Sequence, residues 1–186
     1  MRADALARRR KIIAAAREIL ATMPELGSLE EIARRAGVGI ATLYRNFPDR
    51  ASLLSTIIEE LFGQITDLQR TTLTLMDTDP RLGWESYAEG LINLGLAQLA
   101  SSYTADMVAK FHPDVEQLRN ELISKNIDIV QRAQEAGLVS PNVDHLFFLR
   151  GLLSVARPHN RTVFYTDETF TDELVHTFLL GLKHKD

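Results

Sequence analysis

The sequence predicts an all-α protein of about nine helices, with an N-terminal three-helix unit that contains a helix-turn-helix and a larger C-terminal helical domain. Apolar residues recur at helical spacing through most of the 186 residues, and no segment alternates apolar and polar residues as a strand does. Residues 28–50 have the pattern of two short helices joined by a tight turn. The predicted domains are residues 1–50 and 51–186.

The first helix is predicted from about residue 4 to residue 22. A basic run from Arg8 to Lys11 leads into apolar positions at helical spacing, namely Ile12, Ile13, Ala16, Ile19 and Leu20. The segment from Pro24 to Gly27 ends this helix. Because two short helices cannot bury their own apolar faces, we expect the first helix to complete a small core with them.

The second and third helices form the helix-turn-helix. Ser28 can cap the second helix, with Glu31 completing a capping box, and Gly37 ends it. Leu43 and Phe47, four residues apart, are expected to bury against the second helix. The opposite face of the third helix carries small and polar residues, which suit a surface pressed into the major groove of DNA: Gly39, Ile40, Ala41, Thr42, Tyr44, Arg45 and Asn46.

The motif formed by Thr42, Leu43, Tyr44, Phe47 and Arg50 resembles the DNA-binding domain of the tetracycline-repressor (TetR) family of bacterial regulators. The similarity covers roughly residues 8–55, and the rest of the chain matches that family only in length and helical character. The resemblance implies that Thr42 and Tyr44 donate hydrogen bonds to DNA phosphates. A packing role for Tyr44 is the alternative.

Further phosphate contacts are predicted at two helix starts. Arg50, near the start of the fourth helix, places a cation beside outward-pointing backbone N–H groups, and both attract phosphate. Pro48 stops the third helix and Asp49 caps the fourth. Ser28 is predicted first as a helix cap and second as a phosphate contact.

Base reading is predicted for Gly39, Ile40, Ala41, Arg45 and Asn46. Asn can bond adenine and Arg can bond guanine in bidentate fashion, whereas Ile or Ala can touch a thymine methyl group. The TetR family often has polar or basic residues at the positions of Ile40 and Ala41. Since both are apolar here, Arg45 and Asn46 are expected to matter more, although Asn46 could simply terminate the helix.

The C-terminal helices follow from apolar spacing and from breaks at proline, glycine and capping residues. Turns are expected at 77–80, 112–114 and 158–166. Gly137 is predicted to end one helix, and Pro141 to Asp144 to open the next, with Asp144 as a cap. The predicted helices span residues 51–76, 82–102, 104–111, 114–136, about 144–157 and 167–183.

Charge is unevenly distributed. Residues 1–50 hold ten basic and six acidic residues, a balance of +4, whereas the remainder holds eleven and nineteen, a balance of −8. A cationic end on an anionic body suits a protein that meets a polyanion with one end only. A run of arginines on a solvated helix is the alternative.

Composition and motifs indicate no enzyme, no cofactor and no metal site. There are no cysteines, and the five histidines lack metal-ligand spacing. No nucleophile turn or glycine-rich phosphate loop appears. The resemblance to the TetR family implies a bacterial cytoplasmic, nucleoid-associated protein. We expect no membrane segment, because no apolar run reaches about 20 residues.

Two surfaces are predicted in the C-terminal domain. A small-molecule pocket is expected among aromatic and polar residues, with a plain core as the alternative: Trp84, Tyr87, Asn93, Tyr103, Met107, Phe111, His112, Arg119 and Asn126. A homodimer interface resembling the four-helix interface of the TetR family is expected on the last two long helices, again with an intramolecular core as the alternative: Phe147, Gly151, Leu152, Val155, Phe170, Leu174 and Phe178.

These predictions converge on a dimeric, sequence-specific regulator of transcription. Its partners are expected to be double-stranded operator DNA and a small-molecule effector that releases it from the operator, as a repressor. The alternative is a helix-turn-helix protein without an effector, acting as an activator or with a protein partner.

Overall fold

A computed structural model describes residues 2–22, 28–99, 115–157 and 169–184, and these residues form helices and connecting turns without a strand. This confirms the all-α prediction. None of the described helices is long and apolar enough to cross a membrane. The helices are α1 (Arg2–Thr22), α2 (Leu29–Ala36), α3 (Ile40–Asn46), α4 (Arg50–Met76), α5 (Pro80–Asn93), α6 (Leu96–Leu99), α7 (Val115–Glu135), α8 (His145–Val155) and α9 (Phe170–Gly181), followed by a 3₁₀ turn (Leu182–His184).

The described residues form two compact units: the first contains residues 2–22, 28–63, 98–99 and 115–116, and the second contains residues 64–97, 117–157 and 169–184. The division within α4 falls between Gly63 and Gln64. The predicted boundary at residue 50 instead marks the start of α4, and the functional division there stays a prediction. The predicted helix at 104–111 and the breaks at 112–114 and 158–166 lie outside the described residues.

The first unit is organised around local caps and a small apolar core. The Ser28 hydroxyl accepts a hydrogen bond from the Glu31 N–H, 3.2 Å away, and Gly37 ends α2 with a φ of 65°, which glycine adopts without steric penalty. α2 packs between α1 and α3. The buried core residues of this unit include Ile12, Ala16, Leu20, Ile32, Ala33, Leu43, Phe47, Leu53, Leu54 and Ile57.

The second unit is built around buried aromatic rings. Trp84 on α5 lies 4.5 Å from Phe148 on α8, measured between ring centroids, and Tyr87 lies 6.1 Å from the same ring. The Ser140 N–H donates to the Leu182 carbonyl, 2.9 Å away, which ties the 3₁₀ turn to the core. These contacts join α5 to α8, and the C-terminal turn to the segment between α7 and α8.

The predicted single helix over residues 82–102 is wrong. α5 ends at Asn93, and a separate short helix begins at Leu96. Gly95 adopts a φ of 69°, and its N–H bonds to the Ile92 carbonyl rather than continuing the helix. A lone glycine inside an apolar helical pattern is a weak signal, because helices tolerate glycine at modest cost.

Two glycines let α5 approach α4 closely. A Cβ atom at Gly83 would overlap the Met76 side chain and lie 3.1 Å from the Met76 backbone nitrogen. A Cβ atom at Gly90 would lie 2.5 Å from Leu68 Cδ1. Gly63, in the interior of α4, has nothing within 4 Å of the same position. Gly83 therefore has a packing role that Gly63 does not share.

We expect Gly83→Ala to lower the free energy of unfolding by about 1–3 kcal/mol, because the added methyl group overpacks the contact with Met76. The matched control Gly63→Ala should raise it by roughly 0.5–1 kcal/mol, since alanine favours the helix and meets no neighbour. Urea unfolding of both variants measures the difference. A Gly83→Ala variant as stable as Gly63→Ala would contradict the close contact.

Candidate nucleic-acid interface

The third helix has one buried face and one exposed face. Leu43 and Phe47 have 0% and 1% of their surface exposed, as predicted. Tyr44 and Ile40 on the other face are 45% and 39% exposed. Gly39 and Ala41 are also exposed. Burial of Leu43 and Phe47 thus fixes the rotation of α3 about its axis and turns Tyr44 outward.

The polar side chains at the end of α3 bond to their own helix. Arg45 Nε donates to the Ala41 carbonyl and its Nη2 to the Thr42 hydroxyl, each at 3.2 Å. Asn46 Nδ2 donates to the Thr42 carbonyl at 2.8 Å. Arg45 is exposed, whereas Thr42 and Asn46 are half-buried. This bond uses one of the two N–H groups of the Asn46 amide, so the amide can still make a further contact through its other N–H and Oδ1.

The residues at the starts of α2 and α4 form hydrogen bonds within the protein. Ser28 caps α2, and the Glu31 carboxylate accepts from the Arg34 guanidinium at 2.9 Å. That bond holds the pKa of Glu31 below its usual value. At the start of α4, the Asp49 carboxylate accepts from the Ser52 N–H at 2.7 Å, which confirms it as a cap. Arg50 is half-buried at the first position of α4.

Arg9 on α1 holds the end of α3 in place. Its guanidinium carbon lies 4.4 Å from the centroid of the Phe47 ring, within the range of a cation–π interaction. Nη1 donates to the Asn46 carbonyl at 3.4 Å, and Nη2 donates to the Thr56 hydroxyl on α4 at 3.2 Å. One side chain therefore links α1, the end of α3 and the start of α4.

The sequence analysis missed this role. Arg9 belongs to the basic run Arg8 to Lys11, in which the residue types give no reason to expect one side chain to be more buried than the others. Its position three and four residues before Ile12 and Ile13 was the available signal, because that spacing places it on the buried face of α1.

The structure brings three of the predicted pocket residues into the core of the second unit. Trp84, Tyr87 and Asn126 have 5%, 1% and 4% of their surface exposed. Asn93 and Arg119 are exposed. The other four predicted pocket residues lie outside the described residues: Tyr103, Met107, Phe111 and His112.

A buried polar cluster connects α4, α5 and α7. The Tyr87 hydroxyl donates to Asn126 Oδ1 at 3.0 Å and accepts from Gln69 Nε2 at 3.3 Å, while Gln69 Nε2 also donates to the Leu122 carbonyl at 2.8 Å. Burial raises the pKa of Tyr87 to about 12. Gln69 Oε1 is buried and has no hydrogen-bond partner within the described part of the chain.

The predicted interface residues divide between surface and core. Phe147 and Phe170 are 42% and 41% exposed. Leu152 has no exposed surface and belongs to the core of its own chain, so it has no area to offer a partner. A Cβ atom at Gly151 would overlap the Phe178 ring, which means that this glycine allows α8 and α9 of the same chain to approach. Val155, Leu174 and Phe178 are half-buried.

Within the three-helix unit, α3 buries Leu43 and Phe47 and exposes its opposite face. This arrangement defines a helix-turn-helix DNA-binding protein. Residues 12–57 match the family described as bacterial regulatory proteins, tetR family. No curated protein sequence matches the chain. The N-terminal part of the chain therefore has the DNA-binding domain of the TetR family of transcriptional regulators.

Solved structures share the fold along nearly the whole chain. A TetR transcription regulatory protein from Mycobacterium vanbaalenii is 25% identical, with a TM-score of 0.60, over 97% of this chain and 98% of that chain. A TetR transcriptional regulator from Streptomyces coelicolor is 24% identical, with a TM-score of 0.60, over 94% and 97%. AibR, solved with isovaleryl coenzyme A and operator DNA, is 18% identical, with a TM-score of 0.55, over 93% and 98%.

We expect Arg9→Gln to lower the free energy of unfolding by about 1–2 kcal/mol, because it removes a cation–π contact and two hydrogen bonds. Arg9→Lys should recover part of the loss, since an ammonium group can still lie over the Phe47 ring. The matched control Arg10→Gln changes an exposed neighbour and should be nearly neutral. Thermal unfolding compares the three, and equal stabilities of the Arg9 and Arg10 variants would contradict the role of Arg9.

Proposed function

We propose that this chain is a homodimeric TetR-family repressor that binds a specific operator and is released by a small-molecule effector. The observation that carries the DNA-binding part is the outward face of α3, held by buried Leu43 and Phe47. A helix of this kind enters the major groove with its exposed residues on base edges.

The proposed contacts follow the exposure and chemistry of each side chain. Hydroxyls and cations position the duplex through its phosphates, and these contacts are assigned to Ser28, Thr42, Tyr44 and Arg50. Base edges are assigned to the remaining residues of the exposed face, with the two polar ones providing hydrogen bonds: Gly39, Ile40, Ala41, Arg45 and Asn46.

A symmetric pair of chains is proposed because one α3 reads only a few base pairs. Phe147 on α8 and Phe170 at the start of α9 leave large apolar surfaces exposed, and Leu146 beside Phe147 is 43% exposed. The Phe147 ring also lies 6.3 Å from the Phe178 ring on α9. Apolar residues gathered on two adjacent helices suit a self-complementary contact.

The effector site is proposed at the buried cluster of Gln69, Tyr87 and Asn126. Gln69 Oε1 is a buried acceptor, and leaving such a group without a donor costs about 1–3 kcal/mol. A ligand with an N–H or O–H group could satisfy it. The fold accommodates both kinds of partner, since AibR was solved with an acyl coenzyme A and operator DNA. α4 carries Gln69 and begins directly after α3, so it offers a route for coupling.

Selection of duplexes from a random pool tests DNA binding and dimerisation together. We expect enrichment of a two-fold symmetric site with half-sites roughly 10 base pairs apart, centre to centre, or a multiple of that spacing. Phe147→Asp should weaken binding to that site on the order of tenfold, because a carboxylate resists burial in an apolar interface. Leu82→Asp, at a residue 48% exposed on α5, is the matched control and should bind normally. Enrichment of an unpaired half-site would contradict the dimer, and no enrichment would contradict specific binding.

Release by an effector is tested with compounds that raise the melting temperature of the protein. A true effector should weaken binding to the selected duplex about 5- to 150-fold, the usual range of allosteric coupling. Gln69→Met should weaken effector binding, whereas Gln64→Met, the same change at an exposed position of α4, should not. Compounds that bind near Gln69 and leave DNA affinity unchanged would favour a regulator without an effector.

A further inference from the structure

A small cleft opens between α1 and α3 in the first unit, beside the exposed face of α3. Its volume is about 220 Å³, and it is lined by Ala5, Arg8, Thr42, Arg45 and Asn46. Two of the five lining side chains are guanidinium groups, and none is a carboxylate. Arg8 comes from α1 and was not among the residues predicted to contact DNA.

Both arginines are anchored through Nε. Arg8 Nε donates to the Asp4 carbonyl at 3.1 Å, and Arg45 Nε donates to the Ala41 carbonyl at 3.2 Å. Each bond joins a side chain to the backbone four residues earlier in its own helix, which restrains the stem of the side chain. Thr42 accepts from Arg45 at 3.2 Å, and this leaves the proton of its hydroxyl to donate. The cleft therefore combines the Arg8 cation with the Thr42 hydroxyl donor, and Arg45, which is assigned above to base edges, adds its positive charge beside them.

We propose that this cleft binds a phosphate of the DNA backbone and that Arg8 is a phosphate contact. The inference rests on the proposed DNA-binding function and adds α1 to the surface that meets the duplex. Guanidinium groups suit phosphate because their planar donors match its oxygens. Arg8 and Arg45 are both exposed, so a single free anion in water would gain little there, whereas a duplex held by several contacts brings its phosphate to the cleft.

Arg9 links α1 to the end of α3 next to the cleft. It follows Arg8 in the chain but turns inward, to the Phe47 ring and the Asn46 carbonyl. The two neighbouring arginines thus have different roles. Arg9 holds the end of α3 against α1, and Arg8 lines the exposed cleft between these two helices.

The test compares Arg8→Gln with the matched control Arg10→Gln. Both remove one positive charge from an exposed position of α1 and keep a long side chain with good helix propensity. Fluorescence anisotropy with a labelled random-sequence duplex, at a series of salt concentrations, gives the slope of log affinity against log salt. Arg8→Gln should lower the magnitude of this slope by about one unit per bound chain, because one phosphate contact is lost, and Arg10→Gln should leave it unchanged.

Equal slopes for the wild-type protein and Arg8→Gln would overturn the proposal, as would equal losses in both variants. If the wild-type chain does not bind duplex DNA at low salt, the proposed function fails, and this outcome is separate from a failure of Arg8 alone. Thermal unfolding confirms that the variants fold.

The Nε–Hε signal of Arg8 in an NMR spectrum distinguishes the duplex from a free anion. We expect this signal to shift on addition of the duplex and to stay in place with inorganic phosphate at the same total phosphate concentration and ionic strength. A shift with inorganic phosphate equal to that with the duplex would overturn the proposal, because the cleft would then be a site for the free anion.

Discussion

The burial of Leu43 and Phe47 is the interaction on which the orientation of α3 and its exposed face depend. These side chains lie four residues apart on α3 and have almost no exposed surface, so α3 cannot rotate without exposing one of them. Losing a buried leucine or phenylalanine contact costs about 2–5 kcal/mol, a large part of the stability of a small domain. The outward direction of Tyr44 is a consequence of this burial rather than of any preference of Tyr44 itself.

Arg9 adds a second constraint, on the position of α3 rather than its rotation. Its guanidinium group contacts Phe47, the last carbonyl of α3 and the Thr56 hydroxyl of α4. A basic side chain at a DNA-binding end thus serves the protein interior, and the charge balance of residues 1–50 overstates the number of cations available to phosphate. The Arg34 and Arg35 side chains, paired with Glu31 and Glu18, reduce that number further.

Local chemistry in the sequence predicted most helix boundaries but only part of the candidate site. Ser28, Asp49 and Asp144 were predicted at the starts of helices, and each accepts a backbone N–H bond there. Gly137 was predicted at the end of a helix and has a φ of 70°. The exposed face of α3 followed from the spacing of its two apolar residues. The buried Gln69 was missed because the apolar positions around it predict a plain core.

The sequence by itself determined the all-α class, the caps and the two faces of α3, because these depend on residues within about one helical turn. Only the tertiary structure decided that the Arg9 side chain turns inward while that of Arg8 stays at the surface. It also decided that Leu152 is buried in the core of its own chain and that Gln69 forms a hydrogen bond with Tyr87. Each of these outcomes depends on a helix distant in the chain, such as α5 for Gln69 or α3 for Arg9. Helical periodicity gives the face of a residue but not the partner that the face meets.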